Sequence, residues 1–291
     1  MRFVVLGMAL FLFGCEKNID FNLKNSANKL VVEATIENGQ APMVILTKSV
    51  GFFSKISPEI LSQSFVHGAD VFISNGTRTH KLKEYSQTIS QGISFYFYTN
   101  DSGSLSTAFV GELNHAYSLR IVSQGKEYTS TTTIPNITKR IDSLWWKQAP
   151  ATTDTSKVIV IVKATDPPGY GDYVRYFTKR NNEPFYPGIN SVFDDLFIDG
   201  TTYELQVDPG VDRNVERNDN NRFFKRGDTV TLKMSNIDKA TYDFWRTMEF
   251  SYSSVGDPFS SPTKVLSNIK GNALGYFGGY ASQYRTIIIP H

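Results

Sequence analysis

Apolar side chains recur at every second position in short stretches of this chain, and turn residues close each stretch. Leu30, Val32, Ala34 and Ile36 alternate with Val31, Glu33, Thr35 and Glu37, and Asn38 and Gly39 follow. A period of two is that of a strand with one buried face, and Asn-Gly tolerates the positive φ angles of a tight hairpin. Residues 42–47 then supply the return strand. The pattern repeats over residues 68–74, closed by Asn75 and Gly76 with a return through Lys83, and again over residues 93–98. Residues 115–122 and 126–134 form a further hairpin around Gln124 and Gly125, and Pro135 ends the set. Short strands with closely spaced turn signals predict a β-sandwich, immunoglobulin-like or transthyretin-like, over residues 29–135.

A second β-sandwich unit with one short helix is expected over residues 136–291, making the chain mainly β. Its first strand, residues 141–146, should bury Leu144 and one of Trp145 and Trp146. Neighbours on a strand face opposite sides, so the two indoles make a poor stacking platform. Residues 157–164 and 173–178 read as strands joined by a rigid turn at Asp166, Pro167, Pro168, Gly169 and Gly171. Residues 183–200 read as an irregular aromatic and acidic loop, and residues 208–228 as an exposed excursion. After a strand at 228–234, Asp238 can cap a helix reaching about Tyr252, with Trp245, Met248 and Tyr252 on one core-facing side. Residues 268–279 hold glycines too frequent for a regular element, and residues 286–290 read as a closing strand.

The start of the chain carries a different signal. Arg2 precedes an almost unbroken apolar run over residues 3–13, shorter than the roughly 20 residues that span a bilayer. A positive start, a short apolar core and a small residue before a cleavage point mark a secretory signal peptide. Leu12, Phe13, Gly14 and Cys15 resemble a bacterial lipobox. The expectation is removal of residues 1–14, lipid attachment at Cys15, and a flexible tether over residues 15–28. Cys15 is the sole cysteine, which excludes internal disulfides, cysteine-based metal sites and a second thiol nucleophile. Glu16 follows it, not the aspartate of inner-membrane retention signals, and that likeness points to the outer membrane.

Composition and motifs narrow the chemistry. Hydrophobic content of 40%, with 21 Phe and 15 Tyr, supplies a core and argues against wholesale disorder. The formal net charge is +2 without a Lys/Arg block, so no nucleic-acid partner is indicated. His67, His80, His115 and His291 do not fall at metal-ligand spacing. The nucleophile-elbow and phosphate-loop patterns are both missing from the sequence. No catalytic residues, cofactor or metal are expected. Asp195, Asp199 and Gly200 fit positions one, five and six of a calcium loop, but Phe197 and Gln206 stand at positions three and twelve, so the loop is not an EF-hand. Asp208, Asp212, Asn214, Glu216 and Asp219 offer suitable oxygens without a recognised spacing, so a solvated loop is the expectation there, with calcium as the alternative.

Several stretches taken in order resemble a family. They are residues 30–33 (Leu-Val-Val-Glu), 68–73 (Gly-Ala-Asp-Val-Phe-Ile), 141–144 (Ile-Asp-Ser-Leu), 227–232 (Gly-Asp-Thr-Val-Thr-Leu) and 267–277 (Ser-Asn-Ile-Lys-Gly-Asn-Ala-Leu-Gly-Tyr-Phe). With the lipobox, they resemble the Bacteroidota lipoprotein family catalogued as domain of unknown function 4249. One departure is Asn272, where family members usually carry glycine. The resemblance implies an outer-membrane lipoprotein encoded beside TonB-dependent receptors, and it supplies no catalytic residues. The expected function is a lipid-anchored accessory or binding protein that partners a TonB-dependent receptor in nutrient uptake and takes a small ligand or glycan. The expected binding residues are Asp194 and Asp195 in the acidic loop and Tyr276 and Phe277 in the glycine-rich one. The alternatives are a cell-surface adhesion protein and a glycan-active hydrolase using Asp194, Asp195 and Asp208.

Overall fold

The computed structural model describes residues 28–50, 58–90, 93–150, 152–212, 222–254 and 263–291. Cys15 and the expected tether lie outside the described residues, except Asn28 at the tether's end. The chain begins with β1 (Leu30–Glu37), β2 (Met43–Lys48), α1 (Pro58–Ser64), β3 (Asp70–Ser74) and β4 (Thr79–Ser90). It continues through β5 (Ile93–Thr99), β6 (His115–Ser123), β7 (Lys126–Ile134), β8 (Arg140–Gln148) and β9 (Lys157–Thr165). Then come β10 (Tyr173–Arg180), β11 (Tyr186–Phe193), β12 (Thr202–Val207), β13 (Phe224–Lys225), β14 (Thr229–Ile237), α2 (Lys239–Ser253) and β15 (Leu274–Ile288).

The local hairpins follow the sequence pattern. Leu30, Val32, Ala34 and Ile36 of β1 are buried, and β2 returns antiparallel after Gly39 at φ 76°. Gln124 and Gly125 take φ 50° and 72° between β6 and β7, as a two-residue turn with two positive φ angles requires. Burying Leu30, Val32 or Ile36 contributes about 1.5–3 kcal/mol each.

Eleven strands form one sheet in the order β11-β10-β14-β15-β1-β2-β5-β4-β3-β6-β7. Its centre is a parallel pair of β1 with β15, running from Val31 opposite Leu274 to Glu37 opposite Tyr280. One sheet therefore runs through both halves of the sequence. The other grouping is four-stranded: β9 carries β12 and then β13 along one edge and pairs with β8 along the other. One apolar core gathers side chains of β1–β7 with Phe277 and Ala281 of β15. A second lies between the two groupings, with residues of β9, β10, β12 and β14.

Three expectations change. The glycine-rich tail is a 15-residue strand, not an irregular segment. Its glycines answer close backbone neighbours: a Cβ on Gly275, at φ 99°, would stand 1.8 Å from the carbonyl oxygen of its β1 partner Val32, and one on Gly279 2.5 Å from that of Thr133 in β7. The expected loop over 183–200 contains β11. Pro187 and Gly188 hide its period, yet β11 is an edge strand, where proline costs no inner ladder bond. In α2, Trp245 and Met248 pack on the core but Tyr252 is exposed, and the buried face is completed by Thr241, Tyr242, Phe244 and Glu249. On β8, Leu144, Trp145 and Trp146 are all half-buried, with Leu144 and Trp146 turned toward the second core.

Asp238 caps α2 as the sequence indicates, accepting from the Thr241 amide at 2.8 Å. Its other oxygen accepts from Thr132 Oγ1 (2.8 Å) and the Thr133 amide (3.1 Å) of β7. One side chain thus fixes the helix start to a strand far away in sequence.

Candidate functional site

Alternation on four strands aims apolar side chains into one space. Val162 and Ala164 of β9, Tyr203, Leu205 and Val207 of β12, Val174 and Tyr176 of β10, and Leu232 and Met234 of β14 all line it. The strands do not close completely, leaving a cavity of about 610 Å³, within the range of small-molecule sites. Part of β11, Tyr242 of α2 and the loop after β11 complete the walls. The polar lining is sparse: Asn190, Asp194, Gln206 and Asp208. Phe197, 91% exposed, stands on the rim with the half-exposed Leu205.

The polar groups are ordered by hydrogen bonds. The Tyr242 hydroxyl donates to Asp194 Oδ2 at 2.8 Å, and the Leu196 amide donates to its other oxygen at 3.3 Å. Burial, then the Asp194 carboxylate, pushes the Tyr242 phenol up to about 12. Burial does the same to Tyr203, aided by Asp166 and Asp142. Both phenols therefore keep their protons near neutral pH. Asp208 accepts from Gln206 Nε2 at 2.9 Å. The cavity offers carboxylate acceptors at an otherwise apolar wall, suited to a small apolar molecule bearing hydrogen-bond donors or a positive charge.

A neighbouring cavity of about 520 Å³ shares Asn190, Val192 and Tyr242 and adds Arg246 and Glu249 of α2. Beneath it, buried Arg175 lies 3.4 Å from the Trp245 ring centre and donates to Ser191 Oγ at 3.1 Å. The Ser191 amide and hydroxyl donate to the Glu249 carboxylate. This network fastens α2 to β10 and β11, and nothing in the local sequence announced it.

Residues 16–286 match the family described as Domain of unknown function (DUF4249). The chain belongs to that family. No curated protein matches it. Among the described residues of this DUF4249 protein, no helix is long and apolar enough to cross a membrane.

The four expected binding residues part company in the structure. Asp194 lines the cavity, as does Asp208 of the hydrolase alternative. Asp195 turns away to the turn between β9 and β10, where Oδ2 accepts from the amides of Gly171 (2.7 Å) and Asp172 (2.9 Å). Tyr276 and Phe277 are core residues, 3% and 0% exposed, and this corrects their placement in a binding loop. The Tyr276 ring stacks on Phe244 with centres 4.5 Å apart, and Phe277 joins the first core. Their strand is central, so neither reaches a surface. His80 is likewise buried, with Nε2 accepting from the Asp101 amide at 3.0 Å and Nδ1 2.8 Å from Thr107 Oγ1. Burial lowers its pKa, which Asp101 partly opposes.

Under the rim, Asp166, at the end of β9, comes together with Asp195 and Asp199. Lys139 Nζ lies 3.5 Å from Asp166 Oδ1, and both side chains are fully buried. Burial raises the Asp166 carboxyl pKa; Lys139 pulls it back, and Asp172 and Asp195 add to the rise. Sequence spacing had shown only Asp195 and Asp199, because Asp166 belongs to a different turn.

Proposed function

We propose that this protein is a lipid-anchored binding protein of the outer membrane, holding a small ligand for a TonB-dependent receptor in nutrient uptake. The observation that carries the reading is the cavity of about 610 Å³ between the two strand groupings. Its aromatic and aliphatic walls supply affinity, and Asp194 and Asp208 supply orientation. The lipobox ending at Cys15 supports the anchor, and family membership supports the receptor partnership. A binding role also suits the carboxylates. Asp194 is held by Tyr242 and Leu196, Asp208 by Gln206, and Asp195 by the turn between β9 and β10.

The anchor is tested by Cys15→Ser. The variant should leave the membrane fraction, lose lipid labelling and fail to recover the receptor from detergent extracts, while the wild-type chain recovers it. Lipid labelling that persists in the variant would sink the anchor, and a wild-type chain recovered without any receptor would sink the partnership.

A further inference from the structure

We infer that Asp166, Asp195 and Asp199 form a calcium site that fastens the loop carrying Phe197 to the turn after β9. One carboxylate oxygen from each of the three lies within 4.8 Å of the others. Three ligands spread evenly round one calcium ion at about 2.3–2.6 Å stand about 4.0–4.5 Å apart, inside that bound. Magnesium demands near-ideal octahedral geometry and usually takes only one or two carboxylates, so a set of three favours calcium. All three donors are oxygen, the chemistry a hard cation takes.

The state of Asp166 is the independent observation. The residue is 1% exposed, and among the described residues neither of its oxygens accepts a hydrogen bond. A buried carboxylate without donors is costly unless a cation meets it. Lys139 is near, but its ammonium also lacks a hydrogen-bond partner among the described residues and offsets only one of three negative charges. Two charges remain, the charge of a calcium ion.

The other two carboxylates are already aimed. Asp199 Oδ1 accepts from the Gly169 amide at 2.6 Å, and Asp195 Oδ2 from the amides of Gly171 and Asp172. Each contact orients its carboxylate through one oxygen, and an ionised carboxylate can accept at both oxygens. Backbone turns at Asp195–Ile198 and Ile198–Thr201, and the Asp166 amide donating to the Thr201 carbonyl at 2.9 Å, hold the two segments face to face. An ion there would stiffen residues 194–201, which include Asp194 and Phe197 of the ligand cavity. The site does not depend on the ligand reading: it stands or falls on calcium alone.

The test uses the full chain in detergent, stripped with chelator and titrated calorimetrically with calcium chloride, alongside hydrogen exchange. The expected result is one calcium per chain, with Kd of roughly 10⁻⁴–10⁻³ M as in extracellular modules, and slowed exchange over residues 194–201. Asp166→Asn strands Lys139 and risks unfolding, so Asp199→Asn is the deciding variant: affinity at least about tenfold weaker with unchanged circular dichroism. The exposed Asp70→Asn should bind calcium as the wild type does. Absence of saturable calcium binding, equal affinity in Asp199→Asn, equal affinity for magnesium, or unprotected residues 194–201 would each overturn the inference.

Discussion

Glycine in β15 shows how a single residue type can mislead when its neighbours are out of sight. Gly275 and Gly279 weaken a strand by ordinary propensity, yet here they let three chain segments approach. Gly279 faces the Thr133 carbonyl so closely that a methyl group would stand 2.5 Å from its oxygen. Gly279→Ala should therefore destabilise the protein by about 1–3 kcal/mol through overpacking, read as a lower urea midpoint at unchanged slope. An unchanged midpoint would show that β7 yields freely. Asn272 illustrates the converse. It takes φ 64°, a conformation that asparagine tolerates better than most residues. Asparagine at this position thus suits the turn's left-handed backbone.

At the scale of elements, legibility followed the range of the contacts. The hairpins of β1 with β2, β3 with β4 and β6 with β7 join neighbours through short turns, so their period and turn residues stand next to each other in the sequence. The β1–β15 pair joins opposite ends of the chain, and no local pattern records it. β11 was hidden by Pro187 and Gly188, and its place at the sheet edge became visible only once the strand order was known. Helix α2 was legible from Asp238 onward, but the second role of that side chain was not. Asp238→Ala removes the cap and also strands the Thr133 amide, so it should cost about 2–4 kcal/mol. Asp238→Asn keeps the cap through its one oxygen but sets an amide donor against the Thr133 N–H, so it should recover only the cap's share, about 1 kcal/mol. Thermal unfolding of both variants checks this, and equal losses would show that the cap contributes nothing beyond the contacts to β7.

At the scale of the whole molecule, the site is a product of assembly. Its walls come from β9, β10, β11, β12, β14 and α2, so Asp194 could be singled out from sequence but its apolar surroundings could not. The acidic trio has the same origin, since Asp166 meets Asp195 and Asp199 only when the turn after β9 lies against the loop after β11. Both features sit in the half of the chain where the two strand groupings face each other, while the expected lipid anchor lies at the opposite end of the sequence. A ligand held in the cavity should be displaced when the space is filled. Leu205, half-exposed on the cavity wall, can be replaced by tryptophan to fill the space with little demand on the core. Native mass spectrometry of chain purified from its own envelope should find a small apolar molecule bound to the wild type and none on Leu205→Trp at equal thermal stability. A wild-type chain that carries nothing, or a Leu205→Trp variant that carries the same molecule, would contradict the account.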